Sequence, residues 1–228
     1  MAAIPAMTFA TWAPAEILRC RVRLAVSNSV ATTGAHVNRS FVFLLASTRS
    51  DGNTELLARA AAEQLPDSTE QRWLDLAQLP LPDYVDARHA DRPWPEQTNE
   101  ELLRQATLGA TDIVIVSPLY WYSMSSHAKR YLDYWSKWLA TPDPGFKGKM
   151  AGRTLWGVTA MAHRQEVVAE PHVLSLHHTA AYMGMHFGGV LLGNGSRPGQ
   201  VLADEQAMIR AKTFFAQEAP LARFPYEE

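Results

Sequence analysis

Four consecutive β-branched residues, Ile113-Val-Ile-Val116, stand between Asp112 and Ser117 with no polar residue among them. A run this short, apolar and without alternation reads as a strand buried on both faces. Such strands belong to parallel sheets with helices packed on either side. The run has companions at Phe41–Ala46, Arg72–Leu76, Thr154–Thr159 and about His186–Leu192. Between them lie helical patterns. One starts at Thr54, carries Leu56, Leu57, Ala60, Ala61 and Leu65, and is stopped by Pro66. Thr98-Asn-Glu-Glu101 reads as a capping box opening a second, to about Gly109. Others cover about Ser125–Leu139, His172–Met183 and Ala203–Glu218. Five strands alternating with helices predict an α/β doubly wound parallel sheet in one domain over residues 41–228.

Residues 1–40 differ in kind. They hold four arginines and one acid, so they carry +3 and leave −5 on the remainder of a chain whose formal charge is −2. This basic leader is Ala/Ser/Thr-rich and is expected to be disordered or a mis-assigned start. No apolar run reaches the ~20 residues that span a bilayer. The single cysteine, Cys20, excludes an intramolecular disulfide and suits a reducing, cytoplasmic setting. Near-balanced charge argues against nucleic acid as the main partner.

In doubly wound sheets ligands bind beyond the carboxyl ends of the strands, which directs attention to the loops after strands one, three and four. The first, Ser47-Thr-Arg-Ser-Asp-Gly-Asn-Thr54, gathers hydroxyls, an amide and a guanidinium where a strand turns into a helix. The amides and dipole of that helix start form an anion site. A Walker loop would need Gly at 47 and Lys at 53, where the chain has Ser47 and Asn53, and no G-x-G-x-x-G occurs. A terminal monophosphate held by neutral donors, with Arg49 as a charged partner, fits better. The competing reading is that these residues only cap the helix.

The second loop, Pro118-Leu-Tyr-Trp-Tyr-Ser123, places three aromatics in a row at a strand end. Successive side chains of extended backbone point to opposite sides, so they cannot all be core. A flat heteroaromatic ligand, stacked and hydrogen-bonded at its edge, suits them. Tyr131, Trp135 and Trp138 recur at helical spacing and read as core or subunit interface.

The pair Ala46-Ser-Thr-Arg-Ser-Asp-Gly-Asn-Thr54 and Pro118-Leu-Tyr-Trp-Tyr-Ser-Met-Ser125, followed by Lys129 and Tyr131-Leu-Asp133, resembles the flavodoxin-like family of NAD(P)H-dependent FMN reductases and quinone reductases. The resemblance runs from Phe41 to the last helix, including Tyr182-Met-Gly-Met185 and Gly195-x-x-Pro-Gly199, and excludes the leader. It implies the strand order 2-1-3-4-5 with helices on both faces. It carries the FMN phosphate to Ser47, Arg49, Gly52, Asn53 and Thr54, and the isoalloxazine to Pro118, Leu119, Tyr120 and Trp121. Thr159 and Ala160 would border the pyrimidine edge, although Met161-Ala-His163-Arg164 departs from the family pattern. The implied activity is hydride transfer from NAD(P)H, as co-substrate, through flavin to a quinone, free flavin or nitroaromatic, with no protein nucleophile. Tyr122, Tyr84 and His163 are the candidate substrate-pocket residues, Tyr84 within a Pro-punctuated loop that could act as lid or partner contact. Relatives are usually dimers or tetramers, which makes the Tyr131/Trp138 helix a candidate contact.

His172, His177, His178 and His186 cluster in sequence, but no two are spaced i, i+4, so no metal is expected. Two further classes share the fold: a flavodoxin-like electron carrier, which would not consume NAD(P)H, and a non-enzymatic FMN-binding regulatory protein.

Overall fold

The computed structural model describes residues 39–228 apart from 88, 90–93, 95–97, 141–144 and 227–228. The leader, except for its last two residues, lies outside them, as do Pro93 and Pro95. Strands β1 (Ser40–Leu45), β2 (Glu70–Asp75), β3 (Asp112–Val116), β4 (Thr154–Met161) and β5 (His186–Asn194) form one parallel sheet in the order β2-β1-β3-β4-β5. That is the order the resemblance implies.

Alternation along the strands explains the layering. Val42, Leu44, Ile113, Ile115 and Leu155 face one side, where α2 (Thr98–Gly109), α3 (Ser126–Ala140) and α5 (Glu170–Met183) supply Leu103, Tyr131, Trp135, Trp138 and Leu176. Phe41, Phe43, Val114, Val116, Trp156 and Val158 face the other, against α1 (Asn53–Ala62) and α6 (Glu205–Ala211). Of the two readings the sequence leaves open for Tyr131, Trp135 and Trp138, the structure makes them core residues. At up to about 3 kcal/mol for each buried aromatic or large aliphatic side chain, these two layers dominate the stability of the fold.

Most polar groups inside the core are paired. The Tyr131 hydroxyl meets Thr107 Oγ1 at 2.6 Å, and Glu100 accepts from Lys137 Nζ at 2.6 Å and Trp138 Nε1 at 3.0 Å. At the amino end of β3, buried Asp112 takes Arg39 Nε and Nη2 at 3.1 and 2.5 Å, Trp156 Nε1 at 2.8 Å and Thr111 Oγ1 at 2.7 Å. The folded unit thus reaches back to Arg39, two residues before the sequence-derived boundary. Trp156 also explains a register shift in β4/β5: a Cβ on Gly188 would stand 2.1 Å from its ring.

Two elements differ from expectation. A short helix, α4 (Phe146–Met150), follows α3, and the last helix is broken into a 3-10 turn at Gln200–Ala203, α6, and a second turn at Phe214–Ala216. One continuous helix could not deliver Val201, Ala207, Phe214 and Phe215 to the same sheet face, where all four are buried. Asp204 restarts the helix by accepting the Ala207 N–H at 3.1 Å. No helix among the described residues is long and apolar enough to cross a membrane.

Candidate functional site

A cleft of about 340 Å³ opens at the carboxyl end of the sheet, lined by 47 and 49–54, by Pro118, Leu119 and Tyr120, by Ala160, Met161 and Ala162, and by Gly195, Ser196 and Pro198. Its floor is the start of α1. The N-cap is Gly52, and no side chain accepts from the first-turn amides as a cap. The capping explanation for this loop's composition therefore fails. Ser47 Oγ accepts the Arg49 N–H at 3.1 Å, and Glu55 accepts the Asp51 N–H at 3.3 Å, which leaves Ser47 Oγ available to donate. The Arg49 guanidinium has no carboxylate partner among the described residues.

One of the expected anion donors, Asn53, is committed elsewhere, and Thr54 is tied to the opposite wall through its acceptor. Asn53 lines the cleft, but its Nδ2 donates to Arg197 O at 2.8 Å and its Oδ1 accepts from Val201 N at 3.3 Å. Thr54 is buried, and its Oγ1 accepts the Ala160 N–H at 3.3 Å. Both side chains hold walls of the cleft together. Gly195 is required by this contact, since a Cβ there would come within 2.8 Å of Val201 N and 3.0 Å of Asn53 Nδ2.

The second wall is a tight hairpin. Tyr120 and Ser123 exchange backbone hydrogen bonds at 2.9 and 3.0 Å, and Trp121 and Tyr122 between them have φ of 49° and 66°. Two successive positive φ values make a type I′ turn, a geometry suited to Asn-Gly and strained for bulky residues. Trp121 is 92% exposed, and Tyr120 and Tyr122 are about half exposed. Below them, Ser117 Oγ accepts the Ser125 N–H at 2.8 Å, and Ser125 Oγ donates to Ala46 O at 2.6 Å, so the loops after β1 and β3 are tied together.

Of the residues expected at the site, the structure brings together Ser47, Arg49, Gly52, Asn53, Thr54, Pro118, Leu119 and Tyr120. Trp121 and Tyr122 project from the turn beside the cleft. Thr159 is buried, its hydroxyl donating to Ser117 O at 2.9 Å, and its neighbours Ala160, Met161 and Ala162 face the cleft instead. His163 is exposed, its Nδ1 accepting the Gln165 N–H at 3.1 Å. Tyr84 is packed against Tyr134 and Trp94, with ring centroids 5.7 and 5.8 Å away, and stands apart from the cleft lining. The loop after β5 is a part of the site that the sequence reading misses. Gly193, Gly195 and Gly199 mark it as a strand-end turn, and the rule that selects the other loops applies equally to it. On the first turn of α5, both ring nitrogens of buried His172 lack a hydrogen bond among the described residues, and burial pulls its pKa down to about 4.

Residues 40–213 match the flavodoxin-like fold family. The chain belongs to that family. Among family relatives, it is 31% identical over 166 residues to YwqN of Bacillus subtilis, a protein provisionally named an NAD(P)H-dependent FMN-containing oxidoreductase; the match covers 72% of this chain and 90% of that one. Among solved structures, the Trp repressor binding protein of Bacillus subtilis superposes with a TM-score of 0.62 at 25% identity, over 78% of this chain and 99% of that one. The NAD(P)H:quinone oxidoreductase of Methanothermobacter marburgensis shares the fold, with a TM-score of 0.55 at 17% identity over 76% of this chain and 91% of that one. In this flavodoxin-like chain, then, the cleft lies where the fold places ligands, at the carboxyl ends of β1, β3, β4 and β5.

Proposed function

We propose that this chain is an FMN-dependent NAD(P)H oxidoreductase that passes hydride from NAD(P)H to a small acceptor such as a quinone, free flavin or nitroaromatic. The observation that carries the reading is the uncapped start of α1, which forms the floor of a cleft walled by an aromatic turn. A phosphomonoester suits the first-turn amides, Ser47 Oγ and the unpaired Arg49. The cleft volume falls within the roughly 300–1,000 Å³ of small-molecule sites. The name of the Bacillus subtilis relative supports the same chemistry.

When bound, FMN supplies the hydride chemistry; the protein binds, orients and shields it. In this reading the 47–54 loop holds the phosphate, and Asn53 fixes the loop rather than touching the ligand. Pro118, Leu119 and Tyr120 form the wall along the ring, and backbone groups of Ala160–Ala162 border its polar edge. Trp121 and Tyr122 stand over the mouth, where the nicotinamide and then the acceptor would enter. Their exposure also suits a homodimer or homotetramer in which a neighbouring copy covers them, in the cytoplasm.

The reading predicts that protein incubated with FMN and desalted is yellow and oxidises NADH or NADPH when a quinone is present. Colourless protein with no turnover under these conditions would contradict it.

A further inference from the structure

Helix α5 is almost uncharged, yet one side of it faces outward. Of its 14 residues only Glu170, at the start, carries a charge. His172, Leu176, Ala180 and Met183 point inward and are buried. On the opposite side Leu174, His178 and Tyr182 stand one turn apart in a single stripe, and Leu174 and Tyr182 are 47% and 54% exposed. An outward helix face normally carries charge. Helices α2 and α3 follow that rule, with Glu101 paired to Arg104 and Lys129 to Asp133. The apolar stripe on α5 departs from it, and an exposed apolar patch rimmed by polar residues marks an interaction surface.

The C-terminal tail widens this surface. The Phe224 ring packs on His178 with centroids 5.5 Å apart and stacks on Tyr226 at 5.2 Å, and Tyr226 is itself exposed. Charge is segregated to the two ends of the stripe. Glu170 lies at the amino end of α5, and at the carboxyl end the Lys147 ammonium stands 4.2 Å from the centroid of the Tyr182 ring.

The order of residues along the stripe identifies its occupant. Four positions to either side of His178 stand the bulky Leu174 and Tyr182, and three positions to either side stand the small Ser175 and Ala181. A two-fold axis through His178 lays a second α5 antiparallel on the first and sets Leu174 of each copy against Tyr182 of the other. The small pair keeps the helices close near the axis, and the large pair fills the space that opens as they diverge. The same operation brings Glu170 of each copy toward the end where Lys147 of the other stands, so opposite charges meet at both ends. Self-complementarity of this kind is what a two-fold contact requires. We infer that α5 is a self-association surface, through which two copies of this chain pair antiparallel about His178. The surface is a different element from the Trp121-Tyr122 turn, and the inference needs no bound flavin.

Sedimentation velocity on the full chain, with and without added FMN, tests it. A dimer should form at micromolar concentration, and every substitution in the contact acts twice. Leu174→Glu buries a carboxylate at two points and should weaken association about a hundredfold or more. Glu170→Lys and Lys147→Glu should each weaken it severalfold, and the two together should restore it, a rescue that a merely destabilised fold would not show. Disulfide trapping fixes the register. In a Cys20→Ser background, His178→Cys should cross-link to itself, whereas Leu174→Cys and Tyr182→Cys should cross-link to each other when mixed. A monomer at these concentrations overturns the inference, as does self-linking of Leu174→Cys in preference to the mixed pair. A dimer that withstands Leu174→Glu but dissociates on Trp121→Ala places the contact at the turn and overturns it too. If the chain takes up no FMN yet shows this pattern, the flavin reading fails and the α5 contact stands. If it retains flavin as a monomer, the contact fails and the flavin reading stands.

Discussion

The side-chain amide of Asn53 donates to the carbonyl oxygen of Arg197, 144 residues further along the chain, at 2.8 Å. Together with the Val201 N–H on its other end, this makes Asn53 the clasp between the phosphate loop and the strap after β5. Asn53→Ala removes two hydrogen bonds worth about 1 kcal/mol each. It should lower unfolding free energy by about 1–2 kcal/mol in urea titration and weaken FMN binding severalfold. Asn53→Asp keeps the acceptor for Val201 but sets a carboxylate against the Arg197 carbonyl and beside the phosphate, so it should weaken FMN binding at least as much as Asn53→Ala. Gly195→Ala, which forces a side chain against the same amide, should reproduce the defect. FMN affinity unchanged in all three would show that the strap does not shape the site.

The turn at Trp121-Tyr122 holds two large residues at positive φ, and Trp121 makes almost no packing in return. Replacing the pair by Asn-Gly gives a sequence suited to type I′ geometry and should stabilise the chain by about 1–2 kcal/mol. For a chain of this size, thermal unfolding should shift up by several degrees. The same change removes both rings from the mouth and should cut NAD(P)H oxidation by about tenfold or more. A variant that is more stable and equally active would remove these rings from the site.

Much of this architecture is legible in the sequence because its signals are local. The β-branched run at 113–116 and the strand-to-helix turn at 47–54 are each marked within a few residues. For Tyr131, Trp135 and Trp138, the sequence leaves core and interface both open, since helical spacing gives a face without naming what covers it. Asn53 reads as an anion donor because its partners, Arg197 and Val201, lie far away in sequence. The broken last helix escapes for a similar reason: Phe214 and Phe215 are drawn to Phe41, Phe43 and Trp156 by tertiary packing that helix periodicity does not encode.

At the opposite end of the sheet, Asp112 accepts from Arg39, Trp156 and Thr111. Asp112→Ala leaves the buried Trp156 N–H without its acceptor, while the partly exposed Arg39 keeps the Phe215 carbonyl at 2.6 Å, and should destabilise by about 1–3 kcal/mol. Arg39→Ala leaves the buried Asp112 carboxylate with only the neutral Trp156 and Thr111 donors and no counter-charge, so its cost should be larger. Chemical denaturation of both variants checks the ranking, and FMN affinity should be unchanged in each because the network is remote from the cleft.

His172 offers a pH test. Its folded pKa of about 4 lies below the ordinary 6.5, so between those values the unfolded chain binds a proton that the folded chain refuses. The sign follows: stability is unaffected by this group above about pH 6.5 and falls as pH drops toward 4, by up to about 3 kcal/mol. Since neither ring nitrogen has a partner, His172→Phe should be close to neutral at pH 7 and should flatten that acid limb. Stability curves with the same slope in both proteins would contradict the assignment.

The central claim is that the start of α1 and Arg49 hold the phosphate of FMN. Titrating flavin-stripped protein with FMN and with riboflavin, which lacks the phosphate, addresses it directly through flavin fluorescence. The account predicts that FMN binds at least about a hundredfold tighter than riboflavin and that Arg49→Ala erodes the difference while leaving riboflavin binding unchanged. Equal affinity for the two flavins, or a difference that Arg49→Ala leaves intact, would contradict it.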